Sequence, residues 1–208
     1  YGFNKAHAAS YGRVAYLTAY MKAHYPAEYM AAVLTAEAGD VETISENIVE
    51  CVRMKIPVLP PDVNESLGNF TVIKDATDKI RFGLYSIKNL GNEIANALIR
   101  ERTEHGPYTS FANFLERIEH KNLNKKSLES LVKAGALDAM GEREQMLANT
   151  DTALTYNHEQ HGAAQTQDSL FALIEDKSSL PIMQLREAPP APIAEKLAWE
   201  KELLGLYV

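Results

Sequence analysis

The sequence predicts a mainly α fold with one small β-hairpin, and three features of the chain support it. Apolar residues recur at three- and four-residue spacing through most of the chain before Asn157. Prolines and glycines interrupt that spacing at helix-length intervals, at Pro26, Gly39, Gly91, Gly106, Pro107 and Gly135. Strand character is confined to Phe70–Ile73 and Lys79–Phe82, which flank the turn-forming run Asp75-Ala76-Thr77-Asp78.

The first helix is expected to run to about Tyr25. Val14, Leu17, Met21 and Tyr25 would form its buried seam, widened by Tyr11, Tyr16 and Tyr20. Pro26 ends it and suits the first turn of the next helix, which reaches about Ala38. Asp40 is the expected N-cap of a third helix, Val41 to about Lys55, with Val41, Ile44, Ile48 and Cys51 inward. The prolines of Ile56–Asp62 force extended chain, because each biases its predecessor away from helix. The small hairpin follows and delivers the chain to Ile87.

Ile87-Lys88-Asn89-Leu90-Gly91 is an apolar turn placed directly before a helix from about Asn92 to Arg102, with Ile94, Ala97 and Leu98 as its stripe. Gly91 can take the backbone twist of a tight corner, and Asn89 is among the few other residues that tolerate it. Such a corner points unpaired N–H groups outward at the positive end of a helix, a seat for phosphate to which Lys88 adds charge. The spacing Ile87-x-Asn89-Leu90-Gly91-x-x-x-Ala95 resembles the helix-hairpin-helix motif, a sequence-independent reader of nucleic-acid backbone. That motif usually has glycine where Asn89 stands, and an ordinary helix–helix corner could carry the same residues.

A second helical pair is predicted beyond Gly106-Pro107. Its first helix spans Ser110 to Ile118, with Phe111, Phe114, Leu115 and Ile118 inward. Its second, Lys125–Ala134, is capped by Asn124, buries Leu128, Leu131 and Val132, and stops at Gly135. A further helix near Glu142–Leu154 would close the unit. From about Asn157 to Ile193 Gln, Ser, Ala and Pro dominate, the composition of a partly disordered linker. Within it Gln167-Asp168-Ser169-Leu170-Phe171 places two large apolar residues in polar surroundings. It is suited to dock in a partner's pocket, although packing of the tract on its own protein is the simpler alternative. Ala194–Val208 starts another element.

Composition narrows the function classes. A net charge of −7 argues against nucleic-acid binding over the whole surface, yet Lys121, Lys125, Lys126 and Lys133 against Glu129 give +3 locally. No apolar run approaches the length of a membrane span, and the first residues are no signal peptide. The lone Cys51 excludes an internal disulfide and a cysteine-rich metal site, fits a cytoplasmic setting, and reads as core packing. With no initiator methionine, the chain is expected to be part of a longer protein.

Several runs in order then resemble one family, the C-family bacterial replicative polymerases (DNA polymerase III alpha subunit). They are Tyr1-Gly2-Phe3-Asn4-Lys5-Ala6-His7-Ala8-Ala9, Lys22-Ala23-His24-Tyr25-Pro26-Ala27-Glu28, Leu59-Pro60-Pro61-Asp62-Val63-Asn64, Lys133-Ala134-Gly135-Ala136-Leu137-Asp138 and Glu202-Leu203-Leu204-Gly205-Leu206-Tyr207. The resemblance implies the C-terminal part of the fingers domain over 1–66, a β-hairpin connector over 67–83 and a tandem helix-hairpin-helix DNA-binding domain over 84–156. A linker with a clamp-binding peptide would cover 157–193 and the start of a next element 194–208. It implies nucleotide contacts from Asn4, Lys5 and His7, duplex contacts from Lys88, Asn89, Gly91, Lys125 and Lys126, and sliding-clamp contacts from Gln167, Ser169, Leu170 and Phe171. The family usually has serine where Ala6 stands.

The implied partners are duplex DNA, a deoxynucleoside triphosphate, the sliding clamp and other replicase subunits, with no membrane. Mg2+ would serve the full-length polymerase through palm aspartates that precede the fingers, so this fragment should bind no metal and be inactive alone. Asp75 and Asp78 read as turn formers. Two other readings remain: a non-enzymatic helix-hairpin-helix adaptor docking on the clamp, and a helical protein-interaction scaffold.

Overall fold

The computed structural model describes residues 2, 4–165, 183 and 185–205. Among them the order is α1 (Lys5–His24), α2 (Pro26–Ala36), α3 (Val41–Arg53), β1 (Val58–Leu59), β2 (Thr71–Ile73), β3 (Lys79–Arg81), a 3-10 turn (Leu84–Ser86), α4 (Asn92–His105), α5 (Phe111–Arg117), α6 (Lys125–Lys133), a second 3-10 turn (Asp138–Met140), α7 (Arg143–Ala148), α8 (Thr150–Gln165) and α9 (Ile193–Leu204). The fold is mainly α, as the periodicity predicts.

Helix boundaries follow the local chemistry. Pro26 opens α2, the Asp40 carboxylate accepts from the Thr43 amide at the start of α3, and the Ser110 hydroxyl accepts from Asn113 at the start of α5. The core runs through Leu34, Cys51, Ile80, Phe82, Leu98, Phe114, Leu128 and Leu131, all fully enclosed. It is continuous from α2 and α3 across the sheet to the helices beyond.

The sheet has three strands, in the order β1-β3-β2. The predicted hairpin pairs Val72 with Ile80 antiparallel, while Val58 of β1 pairs parallel with Ile80. The proline-flanked run is extended, as its prolines require, and it also finds a partner. It is a short edge strand, its prolines lying where no ladder donor is needed. The run that follows is a junction. Asn64 exchanges two hydrogen bonds with the Tyr108 backbone (2.8 and 2.9 Å), the Val63 amide donates to Ala136 O (3.0 Å), and Arg102 donates to the carbonyls of Val63 and Ser66 (2.6 and 2.9 Å). One loop thereby ties the sheet to both helical pairs.

Three expectations are corrected. The α1 seam is not buried: Val14, Leu17, Met21 and Tyr25, with Tyr11, Tyr16 and Tyr20, are 42–67% exposed. Periodicity marks a face that is fit to be covered, and no described residue covers this one. The α1 helix packs against α2, and its Lys22 pairs with Glu50 of α3, where Arg53 and then Lys22 hold the Glu50 carboxyl down to about 2. The helix expected over Glu142–Leu154 is two, α7 and α8, and α8 continues past Asn157 into the stretch predicted as linker. The reason is burial on α5: Ala153, Tyr156 and Asn157 are enclosed, and Asn157 donates to the carbonyls of Leu115 and Ile118 (2.7 and 2.8 Å) that end α5. Finally, part of the predicted linker is pinned, because Asn149 bonds both the amide and the carbonyl of Arg186 (2.9 Å each).

Cys51 is enclosed in the core as predicted, and burial pushes its thiol up to about 11. The fold favours the protonated thiol, so this contribution is full below the ordinary value of 9.0 and is lost as pH rises through 11. Denaturation midpoints measured across that window should fall more steeply for the wild type than for Cys51→Ala. A thiol reagent should label Cys51 only after unfolding.

Candidate nucleic-acid interface

The first turn is built by Ile87 and Leu90, whose side chains are buried while Lys88, Asn89 and Gly91 between and beside them are exposed. Leu90 N–H closes on Ile87 O at 3.2 Å. The left-handed residue is Asn89, at φ 67°, while Gly91 is extended at φ −69° and serves as the N-cap of α4. The twist therefore falls on the asparagine that stands where the motif usually has glycine, and Gly91 is not demanded by its own backbone angle.

Gly91 nevertheless matters for access. A Cβ built there would meet nothing within 4 Å, and glycine supplies no side-chain cap to α4. Ala95 N–H is the first in α4 to find its i−4 carbonyl, at Gly91 O (3.1 Å). The amides at 91–93 have no acceptor among the described residues, and residues 91–93 are all exposed, which leaves this edge of the corner open. The Lys88 amide differs: it donates to Leu203 O, at the end of α9 (3.0 Å). The helix that precedes this turn is only the 3-10 turn Leu84–Ser86, so the first hairpin is short on its leading side.

The second hairpin, α5 and α6, is built the opposite way. Asn124 and Ser127 form a capping box, with Ser127 N–H to Asn124 Oδ1 at 3.1 Å and Asn124 N–H to Ser127 Oγ at 2.9 Å. What it presents is charge, since Lys121, Lys125 and Lys126 are all exposed. The two turns meet: Asn122 Nδ2 donates to Glu93 Oε2 at 2.9 Å, joining the loop before α6 to the first turn of α4. Lys125 Nζ lies 2.8 and 3.0 Å from the two oxygens of Asp151 on α8, which holds its ammonium above the ordinary lysine value. Sequence reasoning missed both partners. They lie 29 and 26 residues away, and no local spacing announces a contact at that range.

The other candidates are placed less fully. Asn4, Lys5 and His7 share the exposed start of α1, an element that carries none of the hairpin residues. Asn4 Oδ1 accepts from the Ala6 amide (3.2 Å) as the helix cap, and the His7 ring stands edge-on to Tyr11 at 4.5 Å. Gln167, Ser169, Leu170 and Phe171 lie outside the described residues. No group of three His, Cys, Asp or Glu side chains that could hold a metal occurs among the described residues. Asp75 pairs with Lys79 (3.1 Å) and caps the Ala76 amide, and Asp78 pairs with Lys74 (2.8 Å), so neither fits a two-cation centre. No described helix is long and apolar enough to cross a membrane.

A short turn with an open amide edge, followed by a capped pair with exposed lysines, defines a helix-hairpin-helix protein, and the helix-hairpin-helix motif family matches residues 55–147. Along its whole length the chain is recognised as a segment of the DNA polymerase III alpha subunit family. All of it aligns with the DNA polymerase III subunit alpha of Thermus aquaticus at 44% identity, of Deinococcus radiodurans at 42%, and of Saccharopolyspora erythraea at 41%. It spans 16–18% of the length of these relatives.

The backbone angle at residue 89 gives a direct check. An L-residue without a local hydrogen-bonding side chain is strained in the left-handed region by roughly 1–2 kcal/mol. Asn89→Ala should lower unfolding free energy by about 1 kcal/mol, and Asn89→Gly should leave it within about 0.5 kcal/mol, in urea titrations.

Proposed function

We propose that this segment grips duplex DNA by its backbone and, as part of a DNA-directed DNA polymerase, helps keep the enzyme on its template. The observation that carries this reading is the open edge at Gly91, beside Lys88 and joined through Glu93–Asn122 to the lysine-bearing second hairpin. Amides and lysines at that edge suit phosphate oxygens and carry no information about base sequence. Lys88, Asn89, Gly91, Lys125 and Lys126 are the assigned contacts.

The start of α1 takes the incoming nucleotide in this reading. Lys5 supplies a point charge, and His7 and Asn4 supply hydrogen-bonding groups to the triphosphate of a polyanion whose charge grows as it reacts. Asn4 Oδ1 is committed to its helix cap, which leaves the amide nitrogen for that role. Gln167, Ser169, Leu170 and Phe171 bind the sliding clamp, and a second attachment of that kind raises the effective concentration of a weak backbone grip. In this reading Mg2+ serves the full-length polymerase, and the segment alone is inactive. Other replicase subunits complete the assembly, in the cytoplasm. The match of the whole chain to polymerase subunits, α1 included, favours this over a clamp-docking adaptor. The partition we adopt is fingers to 66, connector to 83, hairpin domain to 156, linker to 193 and a next element from 194.

Two experiments test the reading. Lys88→Ala and Lys126→Ala should each weaken duplex binding for any sequence and flatten the log–log salt dependence by about one. A grip indifferent to salt would remove the nucleic-acid assignment. Gln167→Ala with Phe171→Ala should abolish capture on immobilised clamp while leaving the circular dichroism spectrum unchanged, and undiminished capture would overturn the clamp assignment.

A further inference from the structure

We propose that Asp151 and Glu93 act as brakes on the duplex grip, holding in the free protein the donors that the hairpins would turn toward phosphate. The inference rests on the duplex-binding reading and deepens it. Each hairpin has one such carboxylate against it, Glu93 from the first hairpin's own α4 and Asp151 from α8 beside the second. Asp151, in the first turn of α8, engages Lys125 through both oxygens at 2.8 and 3.0 Å, and Glu93, in the first turn of α4, accepts from Asn122 at 2.9 Å. Neither contact belongs to the core: the Lys125 and Asp151 side chains are 57% and 80% exposed, where an ion pair adds little to folding. By contrast Lys88 and Lys126 form no salt bridge among the described residues.

The placement has an electrostatic consequence. The +3 carried by Lys121–Lys133 falls to +1 once Asp151 and Glu93 are counted with it. A phosphate reaching Lys125 must displace a carboxylate, and one reaching the open amides of α4 meets the Glu93 charge next to them. Lys88 and Lys126 then set a baseline affinity, while the two acids keep the dissociation rate high. A protein that must move along a duplex needs a hold that is released at every step, and a surface selected only for adhesion would carry neutral residues at both positions.

The test uses the 208-residue chain, a short fluorescent duplex, and anisotropy titrations between about 50 and 200 mM salt. Asp151→Asn and Glu93→Gln should each tighten binding about threefold and the double variant about tenfold, with the salt dependence of Asp151→Asn steeper by about one. In a Lys125→Ala background the gain from Asp151→Asn should largely vanish, because the lysine it frees is gone. Thermal unfolding of each variant confirms that the fold is retained. If wild type binds and Asp151→Asn and Glu93→Gln bind no tighter, the brake is overturned and the duplex reading stands. A gain that survives Lys125→Ala overturns the pairing mechanism. If neither wild type nor variants bind, the duplex reading itself falls and the brake falls with it.

Discussion

One buried guanidinium holds the second half of the molecule in register. Arg143 Nε and Nη2 lie 2.8 and 2.7 Å from the two oxygens of Asp138, and Nη1 reaches Lys133 O at 3.1 Å and Glu200 Oε1 at 2.9 Å. Gly135 makes room for it: a Cβ there would lie 2.4 Å from Arg143 Nη2, and the glycine backbone is left-handed at φ 81°. Side chains of Arg143 and Glu200 are 7% and 8% exposed, so neither charge is solvated. Leaving one of a buried pair without the other costs roughly 3–5 kcal/mol, a large share of the stability of any single domain. The network also explains the run Lys133–Asp138, which supplies a carbonyl, a space and a carboxylate to the same cation.

From that cation the constraint passes to the edge at Gly91. Glu200 fixes α9 to Arg143 at the start of α7, and through it to Lys133 O of α6, Lys196 on the same helix pairs with Glu142 at 2.6 Å, and the last turn of α9 offers Leu203 O to the Lys88 amide at 3.0 Å. The first hairpin turn is thus held from outside the hairpin domain as drawn from the sequence. This matters because its leading helix is a single 3-10 turn and can do little to orient Asn89 and Gly91 by itself.

Much of the fold was legible in the sequence, for a physical reason that also marks the failures. Pro26, Asp40, Ser110 and Asn124 act within three or four residues of themselves, so helix starts could be read directly. Val58 and Leu59 become a strand only because Ile80 and Arg81 arrive beside them from later in the chain. Asn157 looked like the start of a polar linker, yet its amide caps α5. The α1 stripe was read correctly as apolar and wrongly as covered, since periodicity reports on one surface and never on its partner.

The candidate site divides along the same line. The corner, its lysine and its exposed glycine follow from local spacing, but the assignment of the twist to Gly91 does not survive, because two residues in one turn could absorb it and the left-handed one is Asn89. The contacts that set the chemistry of the edge, Glu93–Asn122, Lys125–Asp151 and Leu203–Lys88, all cross between elements. Sequence therefore identifies which groups are candidates to meet a phosphate. How many of them are free to do so is settled only by folding, when some donors are claimed by carboxylates and carbonyls and the amides beside Gly91 are left open.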